Sequence, residues 1–260
     1  MATLTLAAAT QVVGQELRVC ADPDNLPFSS TKKNGFENEL AQLVAAELRE
    51  HLTYVWQRMG RGFVRDYLNK AQCDLLIGIP TDFRMVMTTR PYYRSTYVFL
   101  VRKDAKYKPA GLDDPDLKNV RIGVQALDEE YTPPGEVLVK RGMQDSLKAF
   151  HSVGGDAEAI VRAVLNREID LALVWGPLAG YYARQEKDLQ VIPIQPESAA
   201  GIPFTFEISM GVRKGNEQLR SALDEILARN AFAIAALLNR YGIPQLPIAH
   251  AELAAEQGKK

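Results

Sequence analysis

The run Asp74-Leu75-Leu76-Ile77-Gly78-Ile79 decides the fold class. It is short and almost wholly apolar, which suits a strand covered on both faces at the centre of a parallel sheet. Upstream, Leu17-Arg18-Val19-Cys20-Ala21 predicts a first strand, closed by the turn-rich Asp22-Pro23-Asp24-Asn25-Leu26-Pro27. Between Phe36 and Glu50, the residues Leu40, Leu43, Val44, Ala46 and Leu48 fall on helical spacing and predict an amphipathic helix. Leu52 to Trp56 predicts a second strand, and Phe63 to Lys70 a second helix with Phe63 and Tyr67 facing inward.

The same pattern starts again beyond Lys103-Asp104-Ala105-Lys106, with Pro109 and Pro115 marking the break. Val120 to Val124, Leu147 to Phe150, Ile169 to Trp175 and Leu189 to Ile194 predict strands, and Pro133 to Arg141, Asp156 to Glu168 and Leu178 to Gln185 predict helices. Pro133-Pro134 opens its helix without penalty, because N–H groups of a first turn have no partner to lose. The remaining chain predicts a strand at Phe204 to Val212 and helices at Asn216 to Ala228 and Ala231 to Tyr241, too little for a third unit. The economical topology returns this strand to the first lobe. The expected fold class is therefore α/β with two lobes, each a mostly parallel sheet flanked by helices, joined by a hinge near 101–106 and 201–208. Lobe one is expected at 17–103 plus 206–245 and lobe two at 104–205. Ligands of open α/β sheets bind beyond the carboxyl ends of the strands, so two such sheets face each other across a cleft.

Composition narrows the function classes. The 31 Lys and Arg residues against 32 Asp and Glu give a net charge of −1, which argues against nucleic acid as the main partner. No stretch reaches the roughly 18 uninterrupted apolar residues of a membrane span. Leu4 to Val13 is mildly apolar with the small run Ala7-Ala8-Ala9, but no basic residue precedes Arg18. Residues 1–16 are expected to be a signal remnant or disordered, and 246–260 a C-terminal tail. Cys20, late in strand one, and Cys73, at the start of strand three, would stand about 13 Å apart in adjacent parallel strands, too far for a disulfide. Two separate buried thiols are expected.

Six motifs, in order, resemble the periplasmic solute-binding proteins of family 3, the amino-acid (type II) class. They are Asp22-Pro23 to Pro27-Phe28, Gly35-Phe36-Glu37-Asn38-Glu39-Leu40-Ala41, Asp74-Leu75-Leu76-Ile77-Gly78, Thr89-Arg90-Pro91-Tyr92, Arg121-Ile122-Gly123-Val124 and Ile169-Asp170-Leu171-Ala172. More closely, Arg18 to Pro23, Asn25 to Ser29, Gly35 to Asn38, Arg61-Gly62-Phe63-Val64-Arg65, Cys73-Asp74 and Thr88 to Phe99 resemble one subgroup. That subgroup is the quinoprotein dehydrogenase-associated binding proteins, the XoxJ/MoxJ type that accompanies PQQ-dependent methanol dehydrogenases and their cytochrome c. The resemblance implies a periplasmic, non-catalytic protein of methanol oxidation that binds, activates or matures the dehydrogenase. A receptor delivering a small solute other than a standard amino acid to an ABC permease is the alternative.

The amino-acid ligand class fails on four counts. Arg84 is the nearest candidate for the carboxylate clamp, but the segment from it to Thr89 is shorter than the family pattern. The loop that should offer a helix N-terminus to an anion carries Asp128-Glu129-Glu130. Trp175 stands where an ammonium-binding Asp is usual, and Asn25 where a stacking aromatic is usual. The remaining cleft candidates are aromatic or mixed: Asp22, Asn25, Phe28, Arg61, Thr81, Tyr92, Tyr93 and Arg94 from lobe one, and Gln125, Asp128, Tyr131 and Trp175 from lobe two. Tyr, Trp and Arg are the usual anchors of protein interfaces; the competing reading places Tyr92, Tyr93 and Trp175 in lobe cores. Arg61, flanked by Gly60 and Gly62, could meet an acidic partner surface. His51, His151 and His250 have no partners at ligand spacing, so neither a metal site nor a cofactor is expected. The sequence also lacks GxSxG and Cys/His catalytic signatures.

Overall fold

The computed structural model describes residues 15–109, 111–127, 130–151 and 155–248. The expectations for residues 1–14 and for 249–260 lie outside them. The chain builds β1 (Glu16–Ala21), α1 (Phe36–Leu48), β2 (His51–Trp56), a π-helical turn at Val64–Leu68 and β3 (Leu75–Pro80). A ten-residue strand, β4 (Tyr93–Arg102), leads to β5 (Ile122–Leu127), α2 (Pro133–Lys140), β6 (Leu147–His151), α3 (Ala159–Leu165), β7 (Leu171–Trp175), α4 (Gly176–Gln185) and β8 (Leu189–Pro193). The chain ends in β9 (Thr205–Val212), α5 (Glu217–Arg229) and α6 (Ala231–Arg240).

Hydrogen bonding runs in the order β6-β5-β7-β4-β9-β3-β1-β2, with β8 also paired to β4. Parallel pairs make up the two ends, β2-β1-β3 and β6-β5-β7. The centre is antiparallel and changes sheets along its length. Tyr93–Thr96 of β4 pairs with Thr205–Ile208 of β9, whereas Tyr97–Arg102 lies between β7 and β8. Both strands cross at one level, where the Tyr97 N–H donates to the Phe204 carbonyl at 2.8 Å and the Thr96 hydroxyl donates to the same carbonyl at 3.1 Å. The run Tyr93–Arg102 holds neither Gly nor Pro and is rich in Tyr, Val, Phe and Thr, which explains an unbroken strand.

Helix α1 shows how local sequence fixes one lobe. Phe36, Leu40, Ala41 and Val44 recur on one face and are fully buried against β1 and β3. Its start is held by Asn38, whose side-chain oxygen accepts from the N–H groups of Ser30 at 3.0 Å and Gly35 at 3.2 Å, the job a Glu or Gln does in an ordinary capping box. Leu223, Ile226, Leu237 and Leu238 of α5 and α6 join the same core, so the C-terminal helices pack on lobe one. Lobe two has apolar clusters on both faces of its sheet, one with α3 and α4 and one with α2.

Cys20 and Cys73 form a disulfide with Cα atoms 5.5 Å apart, which corrects the expectation of two separate thiols. Cys73 is not the first residue of a strand: it lies in the turn ahead of β3, while Cys20 pairs in register with Leu76. That turn folds over the face of the sheet and buries both cysteines with Phe63, Val64, Leu68 and Leu76. The Asp74 N–H donates to the Arg18 carbonyl at 2.8 Å, and the Arg18 guanidinium grips the Asp74 carboxylate at 2.7 and 2.8 Å. With a sequence separation of 53 residues between the cysteines, cross-linking removes about 4 kcal/mol of unfolded-chain entropy. The double variant C20A/C73A should lose about 2–5 kcal/mol in urea unfolding, and native protein should show no thiol reactive to Ellman's reagent until denatured and reduced. Two titratable thiols in the oxidised, unfolded protein would contradict the pairing.

Candidate ligand-binding cleft

The loop after β1 presents an aromatic side chain to the space between the sheets. It is anchored to the start of α1, where the Phe36 N–H donates to Pro27 O at 2.8 Å and the Glu37 N–H to Phe28 O at 3.0 Å. Asp22 is wholly buried below it and accepts from the N–H groups of Asp24 at 3.0 Å and Met59 at 3.1 Å. Phe28 is thereby set against Phe36, ring centroids 5.6 Å apart. From lobe two, β7 ends in Trp175, whose N–H donates to the buried Gln125 side chain at 2.7 Å. The Trp175 ring packs 5.1 Å from Tyr97 and 6.0 Å from Phe206, the inward residues of β4 and β9 just past the crossing.

Two adjoining cavities result. One of about 320 Å³ is lined by Phe28, Gly78, Pro80, Tyr97, Gln125, Leu127, Thr132, Trp175, Leu178, Phe206 and Ile208. The other, about 250 Å³, is lined by Asn25, Phe28, Ser29, Glu37, Met59, Ile77, Gly78, Tyr93, Leu127 and Trp175. Phe28, Gly78, Leu127 and Trp175 belong to both, and among the described residues neither lining holds a Lys, Arg or His. Across the mouth, Arg61 of lobe one forms an ion pair with Glu130 of lobe two, both exposed. An exposed pair of this kind contributes at most about 1 kcal/mol.

Among the described residues, Glu37 is the one acidic residue in either lining, and it is only 8% exposed. Its carboxyl makes no hydrogen bond or ion pair among the described residues, and it lies against the backbone of Gly78, where any Cβ would collide with it. Gly78 also has a φ of +82°, so glycine is required there twice over. Burial, and secondarily the charge of Asp22, push the Glu37 carboxyl up to about 8. Its place in the first turn of α1 favours the anion by roughly 0.3–1 kcal/mol, too little to offset that desolvation. Burial, and secondarily the Glu37 carboxyl, raise the Tyr93 hydroxyl that lines the same cavity, and the Trp175 side chain offsets part of that rise.

Residues 17–242 match the family model for bacterial extracellular solute-binding proteins, family 3. Protein MoxJ of Methylorubrum extorquens is 32% identical over 96% of this chain and 88% of its own length. The periplasmic binding protein XoxJ from Methylobacterium extorquens AM1 superposes with a TM-score of 0.73 at 36% identity, covering 89% of this chain and all of the other. MxaJ from Methlophaga aminisulfidivorans MPT does so with a TM-score of 0.78 at 25% identity, covering 88% and all. The chain belongs to solute-binding family 3, in the subgroup of MoxJ and XoxJ.

Within this family 3 chain, the sequence-derived candidates divide. Asn25, Phe28, Tyr93, Gln125 and Trp175 line the cavities. Tyr92 lies behind Tyr93, rings 5.0 Å apart, and Thr81 is bonded to Ser209 at 2.7 Å beside β9. Arg94 turns outward to Glu197 at 2.6 Å and to the Pro247 carbonyl, and Tyr131 packs on the lobe-two core. Asp22 is buried beneath the loop that carries Phe28 and is in neither lining, Arg61 pairs with Glu130 at the mouth, Arg84 is exposed outside both linings, and Asp128 lies outside the described residues. Sequence reasoning missed Tyr97, Phe206 and Glu37. The first two had a signal only in the alternation of two separate strands, Tyr93–Arg102 and Thr205–Val212, and Glu37 was legible as an acidic residue on the apolar face of its helix. Among the described residues no cluster of three or more His, Cys, Asp or Glu is placed to hold a metal, and no helix is long and apolar enough to cross a membrane.

The raised Glu37 carboxyl makes a signed prediction. A group protonated in the folded state contributes stability in full below its unfolded pKa near 4.5 and loses it as pH rises through about 8. E37Q should therefore gain on wild type by a growing margin between those limits, up to the order of 4 kcal/mol, and hold that margin above pH 8. Urea unfolding from pH 5 to 9 checks this, and a pH-independent difference would contradict the burial of an ionisable carboxyl.

Proposed function

We propose that this is a non-catalytic periplasmic binding protein of methanol oxidation, which holds or activates a PQQ-dependent methanol dehydrogenase through the cleft between its lobes. The near full-length kinship to MoxJ, with an aromatic cleft whose described lining holds no basic side chain, carries this reading. An amino-acid receptor must neutralise a buried ligand carboxylate, and leaving one unpaired costs several kcal/mol. The aromatic wall of Phe28, Tyr97, Trp175 and Phe206 instead suits a side chain or peptide segment of a partner, with Arg61 at the rim to orient it. The dehydrogenase's cytochrome c is a second candidate partner. The proposed lobes, 17–103 plus 206–245 and 104–205, share β4, so binding acts by shifting the balance between open and closed lobes. Neither a cofactor nor a catalytic residue is proposed.

The experiment is size-exclusion chromatography with an apo PQQ-dependent methanol dehydrogenase, run beside a thermal screen of small solutes. Co-elution is expected, and W175A/F206A should weaken it at least about tenfold, since buried aromatic anchors contribute about 2 kcal/mol or more each. A solute that raises Tm in proportion to RT ln(1 + [L]/Kd), with no co-elution, would sink the proposal in favour of transport.

A further inference from the structure

The geometry points to a cation-binding subsite in the smaller cavity: a primary ammonium group on a short apolar stem, seated on Glu37 between the rings of Phe28, Tyr93 and Trp175. This deepens the cleft reading and rests on that cleft being the working site.

Three observations converge. Glu37 is a nine-tenths buried carboxyl that lines the cavity with no hydrogen-bonding or ionic partner among the described residues. That carboxyl lies against Gly78, which lines both cavities. Buried carboxyls are almost always paired in a finished structure, so this one calls for a donor that the described residues do not provide. The walls include aromatic rings and the thioether of Met59, and among the described residues no Lys, Arg or His lines the cavity. Aromatic faces attract cations, and more strongly when water is excluded. An anionic ligand would meet a carboxyl, and a neutral alcohol would bring no charge to balance it. A primary ammonium brings three donors and a positive charge to the carboxyl, and its stem can run toward the larger, more apolar cavity past Phe28 and Trp175.

Without a ligand, the groups facing Glu37 are Asp22 from the loop after β1 and the hydroxyls of Tyr92 and Tyr93 from β4, none of them cationic. The carboxyl, pushed up to about 8, is thus mainly protonated at neutral pH. An arriving ammonium favours the carboxylate, so binding releases one proton to solvent, and the apparent affinity rises about tenfold per pH unit below 8 and levels off above it.

The test uses n-butylamine, with n-butanol and butyrate as neutral and anionic isosteres, by calorimetry at pH 6.5 and 8.5 in two buffers of different ionisation heat. The amine is expected to bind wild type at pH 8.5 while the isosteres do not, to bind more weakly at pH 6.5, and to release close to one proton there. E37Q, which keeps the shape, should lose about 10- to 100-fold in amine affinity. Equal binding of butanol and butylamine to wild type, or full amine binding by E37Q, would overturn the subsite; the first comparison needs no variant to fold. Adding the amine to the chromatography mixture separates the source of the group: loss of co-elution assigns it to a lysine of the dehydrogenase, and unchanged co-elution to a free amine. Amine binding without any dehydrogenase complex would leave the subsite standing and remove the partner reading, and the converse would do the reverse.

Discussion

The antiparallel pair of β4 and β9 is the constraint on which the rest depends. Both passages of the chain between the lobes run through it at one level, joined by the Tyr97 to Phe204 hydrogen bond. Because β4 runs unbroken from its pairing with β9 to its pairing with β7 and β8, the lobes are tied by extended backbone. Side chains then alternate along that backbone, so residues two apart share a face. The positions of Tyr97 and Phe206 result from this: one lies just beyond the crossing on β4, the other just beyond it on β9, and both meet Trp175 from β7.

The segment after α6 reinforces the same place. The Ser95 hydroxyl donates to the Pro244 carbonyl at 2.7 Å and the Leu246 N–H to the Arg94 carbonyl at 2.8 Å. Gly180 of α4 lies so close to the Gly242 backbone that a side chain on it would clash, which brings lobe two against the end of lobe one. Hinge contacts are therefore backbone-rich and close, while the contacts at the cleft mouth, such as Arg61 with Glu130, are exposed and weak. That distribution leaves opening inexpensive at the mouth and restrained at the hinge.

Much of the fold was legible because hydrophobic periodicity is strong in the elements that bear the core. The apolar run at Leu75–Ile79 and the helical spacing from Phe36 to Leu48 appear where the sequence places them, and residues of β9, α5 and α6 share the core of α1, β1 and β3. The site was legible only in part. Phe28 and Trp175 announced themselves as aromatics near strand ends, but Tyr97 and Phe206 become wall residues only once β4 is seen to pass between the sheets with β9 paired beside it. Glu37 read as part of a helix opening, since nothing local reveals that it faces Gly78 and a cavity. The cysteines failed for a related reason: linear offset along a strand says nothing about a turn that folds over the face of the sheet. In each case the missing information was tertiary, the position of one segment over another.

The protein has two tryptophans, Trp56 on β2 and Trp175 at the cleft. Incorporation of 5-fluorotryptophan, with W56F to assign the lines, gives a fluorine spectrum to which an unlabelled methanol dehydrogenase contributes nothing. If the partner is held through the cleft, the Trp175 resonance moves on addition of dehydrogenase while the Trp56 resonance keeps its position. A stable complex in which the Trp175 resonance stays where it was would contradict that account, because the partner would then be held on another surface.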